Sequence, residues 1–233
     1  MSEKLQKILS DLEDTRSDRE KLYIEFHQHP ELSLQEEWTS QKIVDELDAA
    51  GIEHRRVGNT GVVAIIRNGD GPAVAMRADI DALPVPEESG KDYASTVEGK
   101  SHACGHDFHI MSLLTALKLF NNHKDQWSGT YVGVFQPAEE TAQGARDMVA
   151  HGIADTLPKL DVYLGQHVLS SIPGGTIGSR AGVMFTAAAS IRVKVFGKGS
   201  HGSMPQLGVD PVVLASSIVM RLQTIVSREI GPS

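Results

Sequence analysis

Three short apolar runs in this chain end abruptly on carboxylates or a histidine, and that recurrence constrains the fold more than any other feature. Ala73 to Arg77 runs straight into Ala78-Asp79-Ile80-Asp81, Tyr131 to Phe135 into Gln136-Pro137-Ala138-Glu139-Glu140, and Val162 to Leu164 delivers Gly165-Gln166-His167. Helix-periodic stretches lie between them. Ile110 to Phe120 carries Met111, Leu113, Leu114, Leu117 and Phe120, with His106 to His109 in its first turn, and Ala142 to His151 is a shorter helix stopped by Gly152. Strand, polar loop, helix, strand is the pattern of an α/β layered domain, with helices covering a mostly parallel sheet. Open α/β sheets place their sites at the carboxyl ends of strands, so the polar ends of the three runs are expected to meet on one edge.

The flanking segments fit this frame. Leu5 to His27 reads as an amphipathic helix with a polar interruption around Arg16 to Asp18, broken by His29-Pro30 because the residue before proline disfavours the helical region. Ser33 and Glu36 have capping-box spacing ahead of a helix with Trp38, Ile43, Val44 and Leu47 on one face, ended by Gly51. Val62 to Arg67 and Ala73 to Arg77 read as two strands joined by a tight turn at Asn68-Gly69-Asp70-Gly71-Pro72. The pattern changes near Gly178. Ala187 to Phe196 alternates polar and apolar residues like a half-exposed strand, a glycine-rich loop follows from Gly197 to Pro205, and Pro211 to Arg228 is a helix opened by proline after Asp210 and terminated by Gly231-Pro232. A strand, loop and helix make half of a small α+β unit and leave the strand short of partners, so the sequence is expected to be truncated or completed by a partner chain.

Charge and cysteine content narrow the function. The 22 Lys and Arg against 30 Asp and Glu give a net charge of −8, and no basic run suggests a nucleic-acid surface. The first 19 residues lack the apolar core of a secretory signal, and no 18-residue apolar run suggests a membrane span. The single cysteine, Cys104, excludes an internal disulfide and favours a reducing, cytoplasmic setting.

Cys104 sits in the densest chemistry of the chain, Lys100-Ser101-His102-Ala103-Cys104-Gly105-His106-Asp107-Phe108-His109. Thiolate and imidazole suit zinc and neighbouring transition metals, and Cys104 and His106 at i, i+2 can face one ion from an irregular loop, with a Glu and a His from other strand ends completing the shell. In Glu139-Glu140 one carboxylate can bind a metal while its neighbour moves a proton. The plainer readings are a solvated helix start for the two glutamates and ordinary loop or helix histidines for His102 and His109. A cysteine nucleophile activated beside a helix N-terminus is a further alternative, which leaves the glutamates and His167 without a role.

Five ordered motifs carry a resemblance. Met76 to Pro84, His102 to Asp107, Phe135 to Glu140, Gly165-Gln166-His167 and Gly199-Ser200-His201-Gly202-Ser203-Met204-Pro205 resemble successive signatures of the hippurate hydrolase and indole-acetyl-amino-acid hydrolase group, within the metal-dependent amidohydrolases and peptidases. The likeness runs from about His27 to Gly231. It implies a zinc-peptidase-like catalytic domain over residues 1–180 and, over 181–233, the first half of an α+β, ferredoxin-like lid that mediates homodimerisation. It also implies two divalent metal ions, zinc before manganese, cobalt or nickel. By the same resemblance Cys104 is the bridging ligand, His106, Glu140 and His167 are further ligands, Glu139 is the general base and acid, His201 binds the substrate carbonyl or its oxyanion, and Asp79 and Asp107 orient ligands. The implied reaction hydrolyses the amide of an N-acyl amino acid. Full members continue through the lid to a further metal-binding histidine, so the 233-residue chain alone is expected to bind metal less well and to turn over little. The alternative is a catalytically silent metal-binding or dimer-forming fragment of the same fold.

Overall fold

Strands β1 (Glu53–Val57), β2 (Gly61–Asn68), β3 (Ala73–Asp79), β4 (Gly129–Gln136) and β5 (Val162–Gly165) form one sheet in the order β1-β2-β4-β3-β5. The structure, a computed structural model, describes residues 2–184 and 189–230. The chain divides into two compact units, Met1–Pro173 and Gly174–Ser233, and the sheet belongs to the first.

The sheet is mixed rather than mostly parallel. β3 has parallel partners on both sides, β4 and β5, whereas β1, β2 and β4 pair antiparallel. The reason lies in the connections: β1 and β2 are joined by a tight turn, which permits only antiparallel pairing, and the long crossover between β3 and β4 permits the parallel one. The tight turn between β2 and β3 does not make them neighbours, because β4 inserts between them. Gly129 makes this possible: at φ 116° it starts β4 so close to the turn that a Cβ would lie 2.4 Å from the Pro72 carbonyl oxygen.

Alternation along β2 divides the core. Val62, Ala64 and Ile66 face one cluster with Phe26, Ile43, Leu47, Ile80, Ile110, Leu114 and Leu117, while Val63 and Ile65 face a second with Val132, Val134 and Met148. The first face is covered by α3 (Arg16–Gln28), α4 (Glu37–Ala49) and α5 (His106–Asn122), which follow the short α1 (Glu3–Ile8) and α2 (Asp11–Asp14). The second is covered by α6 (Gly144–Ala150) and α7 (Ile153–Thr156). Ile110, Leu113, Leu114 and Leu117 are all essentially inaccessible, each burial stabilising by about 1.5–3 kcal/mol, and this stripe seats α5 against the sheet.

Two local expectations change. The N-terminal helix breaks at Leu9-Ser10 and again at Thr15, where the Ser10 hydroxyl donates to the Lys7 carbonyl and the Thr15 hydroxyl to that of Asp11. Ser33 and Glu36 do not form a capping box: the Glu31 carboxylate accepts from the N–H groups of Trp38 and Thr39, and Ser33 and Glu36 turn inward instead.

In the second unit, α8 (Pro211–Thr224) starts as read, with Asp210 accepting from the N–H groups of Val212 and Val213, and runs into a π turn over Ile225–Glu229. The anticipated strand from Ala187 to Phe196 is not formed over its described part, residues 189–196: no described residue offers that stretch a ladder, and an isolated Lys198–Val209 bridge follows it. Its first two residues, and the expected Gly231-Pro232 stop, lie outside the described residues.

Candidate metal centre

The chain passes from Cys104 to the first turn of α5 through Gly105, at φ 78°, where a Cβ would come 2.5 Å from the Val168 side chain. Only glycine fits both demands. His106 follows, fully buried. Its Nδ1–H donates to the Asp81 carbonyl at 2.9 Å, so its Nε2 looks into the space between β3, β4 and β5. That Nε2 lies 3.5 Å from Asp79 Oδ2, 3.9 Å from Glu140 Oε1 and 4.0 Å from Glu139 Oε2. At the end of β5 the His167 Nδ1–H donates to the Val168 carbonyl at 2.6 Å, leaving Nε2 3.4 Å from Cys104 Sγ. Both rings are thus held by one nitrogen to a backbone carbonyl and present the other, the arrangement that prepares an imidazole for a metal.

Three groups of side chains bring candidate ligand atoms within 4.8 Å of one another: Cys104, His106 and His167; His106, Glu139 and Glu140; and Asp79, His106 and His109. The first two fit a divalent cation. His106 Nε2 and Glu140 Oε1 are buried without a hydrogen-bond partner, and buried polar atoms are otherwise almost always paired. Burial and the carboxylates of Glu140, Glu139 and Asp79 push the Cys104 thiol up to about 12. A cation among these groups would offset that electrostatic load, and thiolate, imidazole and carboxylate are the donor set for it. The same shift counts against Cys104 as a nucleophile, since an activated thiol needs its pKa lowered.

In the third group, Asp79 and His109 are already engaged with other parts of the protein. His109 Nε2 accepts the Val168 N–H at 2.9 Å, so its Nδ1–H is the donor to Asp79. The other Asp79 oxygen lies 2.8 Å from Arg77 Nη1. Burial alone would raise the Asp79 carboxyl, but His109, His106 and Arg77 outweigh it and hold it at about 2. Asp79 is therefore a fixed anion facing the free edge of His106.

The structure brings Cys104, His106, Glu139, Glu140, His167 and Asp79 together from three strand ends and the start of α5, but not Asp107. Asp107 is buried, but its hydrogen bonds run to His27 Nδ1 at 2.6 Å and to the Phe108 N–H at 2.9 Å, not to a candidate ligand, so any orienting effect passes through the first turn of α5. The carboxylate that faces His106 Nδ1, at 3.4 Å, is Asp81. Sequence reasoning marked Asp81 only as half of a strand-end pair, and the alternation around Ile80 was the available signal that Asp79 and Asp81 share a face. His109, set aside as an ordinary helix histidine, links β3 to the end of β5. His102 is buried with neither ring nitrogen paired, and burial lowers its pKa to about 4, so it is a neutral imidazole. In the second unit, His201 is exposed and its Nδ1 accepts the Ser203 N–H at 3.2 Å.

Residues 75–232 match the peptidase family M20/M25/M40. The chain is 43% identical over 213 residues to the IAA-amino acid hydrolase ILR1-like 2 of Arabidopsis thaliana, covering 91% of this chain and 48% of that protein. It is 42% identical over 208 residues to the N-acetyl-L-cysteine deacetylase of Bacillus subtilis strain 168, covering 88% and 49%. The chain thus spans about half the length of these curated relatives. Among solved structures it is similar to one from methicillin resistant Staphylococcus aureus, with a TM-score of 0.83, 35% identity and coverage of 97% of this chain and 60% of that one. It is also similar to a dinuclear metal binding peptidase from the M20 family of Bacillus subtilis, with a TM-score of 0.67, 40% identity and coverage of 72% and 47%.

Proposed function

The chain belongs to peptidase family M20/M25/M40, and from that membership we propose that it is the metal-binding part of an amidohydrolase acting on N-acyl amino acids. Residues 1–180 would be the catalytic domain and 181–233 the start of a lid, with the uncovered Val212, Val213, Val219 and Met220 of α8 supporting a role in homodimerisation. Cys104, His106, Glu140 and His167 would hold two divalent ions, zinc by preference for a thiolate-containing shell. When bound, such ions supply Lewis acidity, which lowers the pKa of water and polarises an amide carbonyl.

The remaining chemistry falls to the protein. Glu139 is the less buried of the paired glutamates, its side chain 40% accessible against 20% for Glu140. An uncoordinated carboxylate there can take a proton from the attacking water as its oxygen bonds to the carbonyl carbon, and return it to the amide nitrogen as the C–N bond breaks. A carboxylic acid and a free amino acid result. The Asp81 carbonyl keeps His106 oriented, Asp79 adds a fixed negative charge beside its Nε2, and His201 is assigned to the substrate carbonyl through the family resemblance alone.

The observation that carries this reading is the pair of partnerless buried atoms, His106 Nε2 and Glu140 Oε1, beside a thiol surrounded by carboxylates. The relatives named as an IAA-amino acid hydrolase and an N-acetyl-L-cysteine deacetylase supply the substrate class. Elemental analysis paired with hydrolysis of N-acetyl amino acids and hippurate, on wild type and Glu139→Gln, tests it. Metal in both proteins, with turnover reduced about 10²–10⁴-fold in the variant, is expected. Turnover indifferent to Glu139→Gln, or no bound metal, would overturn it. Metal with no turnover in either would identify a silent metal-binding module, as the 233-residue span against longer relatives allows.

A further inference from the structure

The segment carrying the two glutamates is strained and tightly closed. Ala138 sits at φ 45° and Ala142 at φ 54°, both left-handed and both costly for residues with a Cβ. The loop folds back on itself, the Gln143 and Gly144 N–H groups donating to the Ala138 carbonyl and the Ala142 N–H to that of Glu139. Something outside the loop has to hold it in this shape.

Two buried carboxylates from distant parts of the chain reach it. Glu36, inaccessible at the start of α4, accepts the Ala138 N–H through Oε1 at 2.8 Å and the Thr60 hydroxyl through Oε2 at 2.7 Å. Asp81, 1% accessible at the end of β3, accepts the Glu139 N–H through Oδ1 at 3.0 Å, and the Glu140 N–H and Ser33 hydroxyl through Oδ2 at 3.1 and 2.7 Å. Three consecutive backbone N–H groups are therefore held by two carboxylates. Charge-assisted bonds of this kind are among the strongest available to an N–H group, and these two acceptors would be costly to bury without such donors.

We infer that Glu36 and Asp81 are positioning residues: together they form a carboxylate cradle that fixes the strained Ala138-Glu139-Glu140 backbone and so aims the Glu139 and Glu140 side chains into the site. Asp81 also reaches the opposite wall, its own carbonyl setting the His106 ring, so one residue keeps His106 and Glu140 in register. This rests on Glu139 and Glu140 acting as base and ligand, but the cradle itself can be tested without that reading.

Asp81→Asn is nearly isosteric, yet its amide must place an NH2 where a carboxylate oxygen now accepts a backbone N–H. In the metal-free 233-residue chain, amide hydrogen exchange at Glu139 and Glu140 is expected to accelerate about 10-fold or more, while the core amides of α5 keep their protection. The cobalt(II) dissociation constant should rise about 10–100-fold, as for loss of an outer partner of a ligand. Adding Ala138→Gly, which removes the left-handed penalty, should recover part of both effects. A general loss of stability would instead show as faster exchange of the α5 core amides as well. Glu36 provides an independent arm: Glu36→Gln keeps an oxygen for the Ala138 N–H and lets the Thr60 hydroxyl turn to accept, so Ala138 exchange should stay within about 3-fold of wild type, whereas Glu36→Ala should speed it about 10-fold. Unchanged exchange at Glu139 and Glu140 in a folded Asp81→Asn protein would overturn the proposal, as would failure of Ala138→Gly to restore it. If Asp81→Asn does not fold, the Glu36 pair decides: equal Ala138 exchange in Glu36→Ala and Glu36→Gln would overturn the cradle. Cobalt affinity that falls with Asp81→Asn while turnover remains indifferent to Glu139→Gln would keep the cradle and remove the hydrolase.

Discussion

The two sides of the candidate centre are built to different standards. On the side of β3, α5 and β4, His106, Asp79 and Asp81 are essentially inaccessible, and the N–H groups of Ala138, Glu139 and Glu140 all have carboxylate acceptors. On the other side, His167 hangs from β5, four residues whose Val162, Tyr163 and Leu164 are 44%, 52% and 47% accessible. Only β3 pairs with β5 among the described strands. A carboxylate that moves protons tolerates little positional error, while an imidazole that closes round a cation can be drawn in by it. The difference therefore places rigidity at Glu139 and adaptability at His167, with the His109 imidazole tying one to the other.

The largest expected effect comes from breaking the rigid side at its tightest point. A Cβ on Gly144 would lie 1.6 Å from the Pro137 carbonyl oxygen, backbone against backbone, with no side chain able to give way. Gly144→Ala is expected to destabilise the chain by at least about 3 kcal/mol, read as a shift of the denaturant midpoint at unchanged m. A loss below about 1 kcal/mol would show that the 137–144 loop relaxes easily and that the contrast between the two sides is overstated.

How much of this was legible in the sequence follows from the range of each interaction. Strand ends and helix faces are local patterns, so Cys104, His106, Glu139, Glu140 and His167 could be placed on one edge from apolar runs and their polar endings. The strand order was not local: β4 enters between β2 and β3 because of a close approach at Gly129 and Pro72, which no periodicity records. Ser33 and Glu36 were misread for a related reason. Their spacing is that of a capping box, but Glu31 took the capping role and freed both to reach Asp81, Thr60 and Ala138. Buried carboxylates that serve distant backbone N–H groups look, in sequence, like any surface acid.

A second test loosens the tie between the two sides. His109→Phe keeps the ring volume but leaves the Val168 N–H and one Asp79 oxygen unpaired. Metal affinity, measured by competition with a chromogenic chelator, should fall about 10–100-fold. An unchanged affinity in a folded variant would mean that His167 finds its place without help from β3.

A smaller effect is expected beneath the site, where His27 lies between Asp107 and Glu87 with Tyr23 and Tyr93 against its ring. Both ring nitrogens face carboxylate oxygens, so the imidazolium is favoured, and the hydrogen bond to Asp107, with help from Glu87, raises the His27 pKa against the opposing effect of burial. A raised folded pKa gives stability that is fully present below the unfolded value near 6.5 and is lost as pH rises through the folded value. The stability difference between wild type and His27→Gln should therefore be about 1 kcal/mol larger at pH 6 than at pH 9, the low end for charged hydrogen bonds because solvent reaches part of the ring. The opposite sign would assign a neutral imidazole to this position.

The smallest effect is expected on β5 itself. Ile80, inaccessible at the end of β3, and Leu164, 47% accessible on the neighbouring strand, are of similar size. Ile80→Ala should cost about 2–5 kcal/mol, the range for emptying a packed site. Leu164 already gives about half its surface to water, so its truncation forfeits less transfer free energy and leaves no closed cavity. Leu164→Ala in the 233-residue chain should shift stability by less than about 1 kcal/mol in the same denaturant series. Equal costs for the two would mean that the outer face of β5 is covered in solution, that His167 is as firmly held as His106, and that the centre has two rigid sides rather than one.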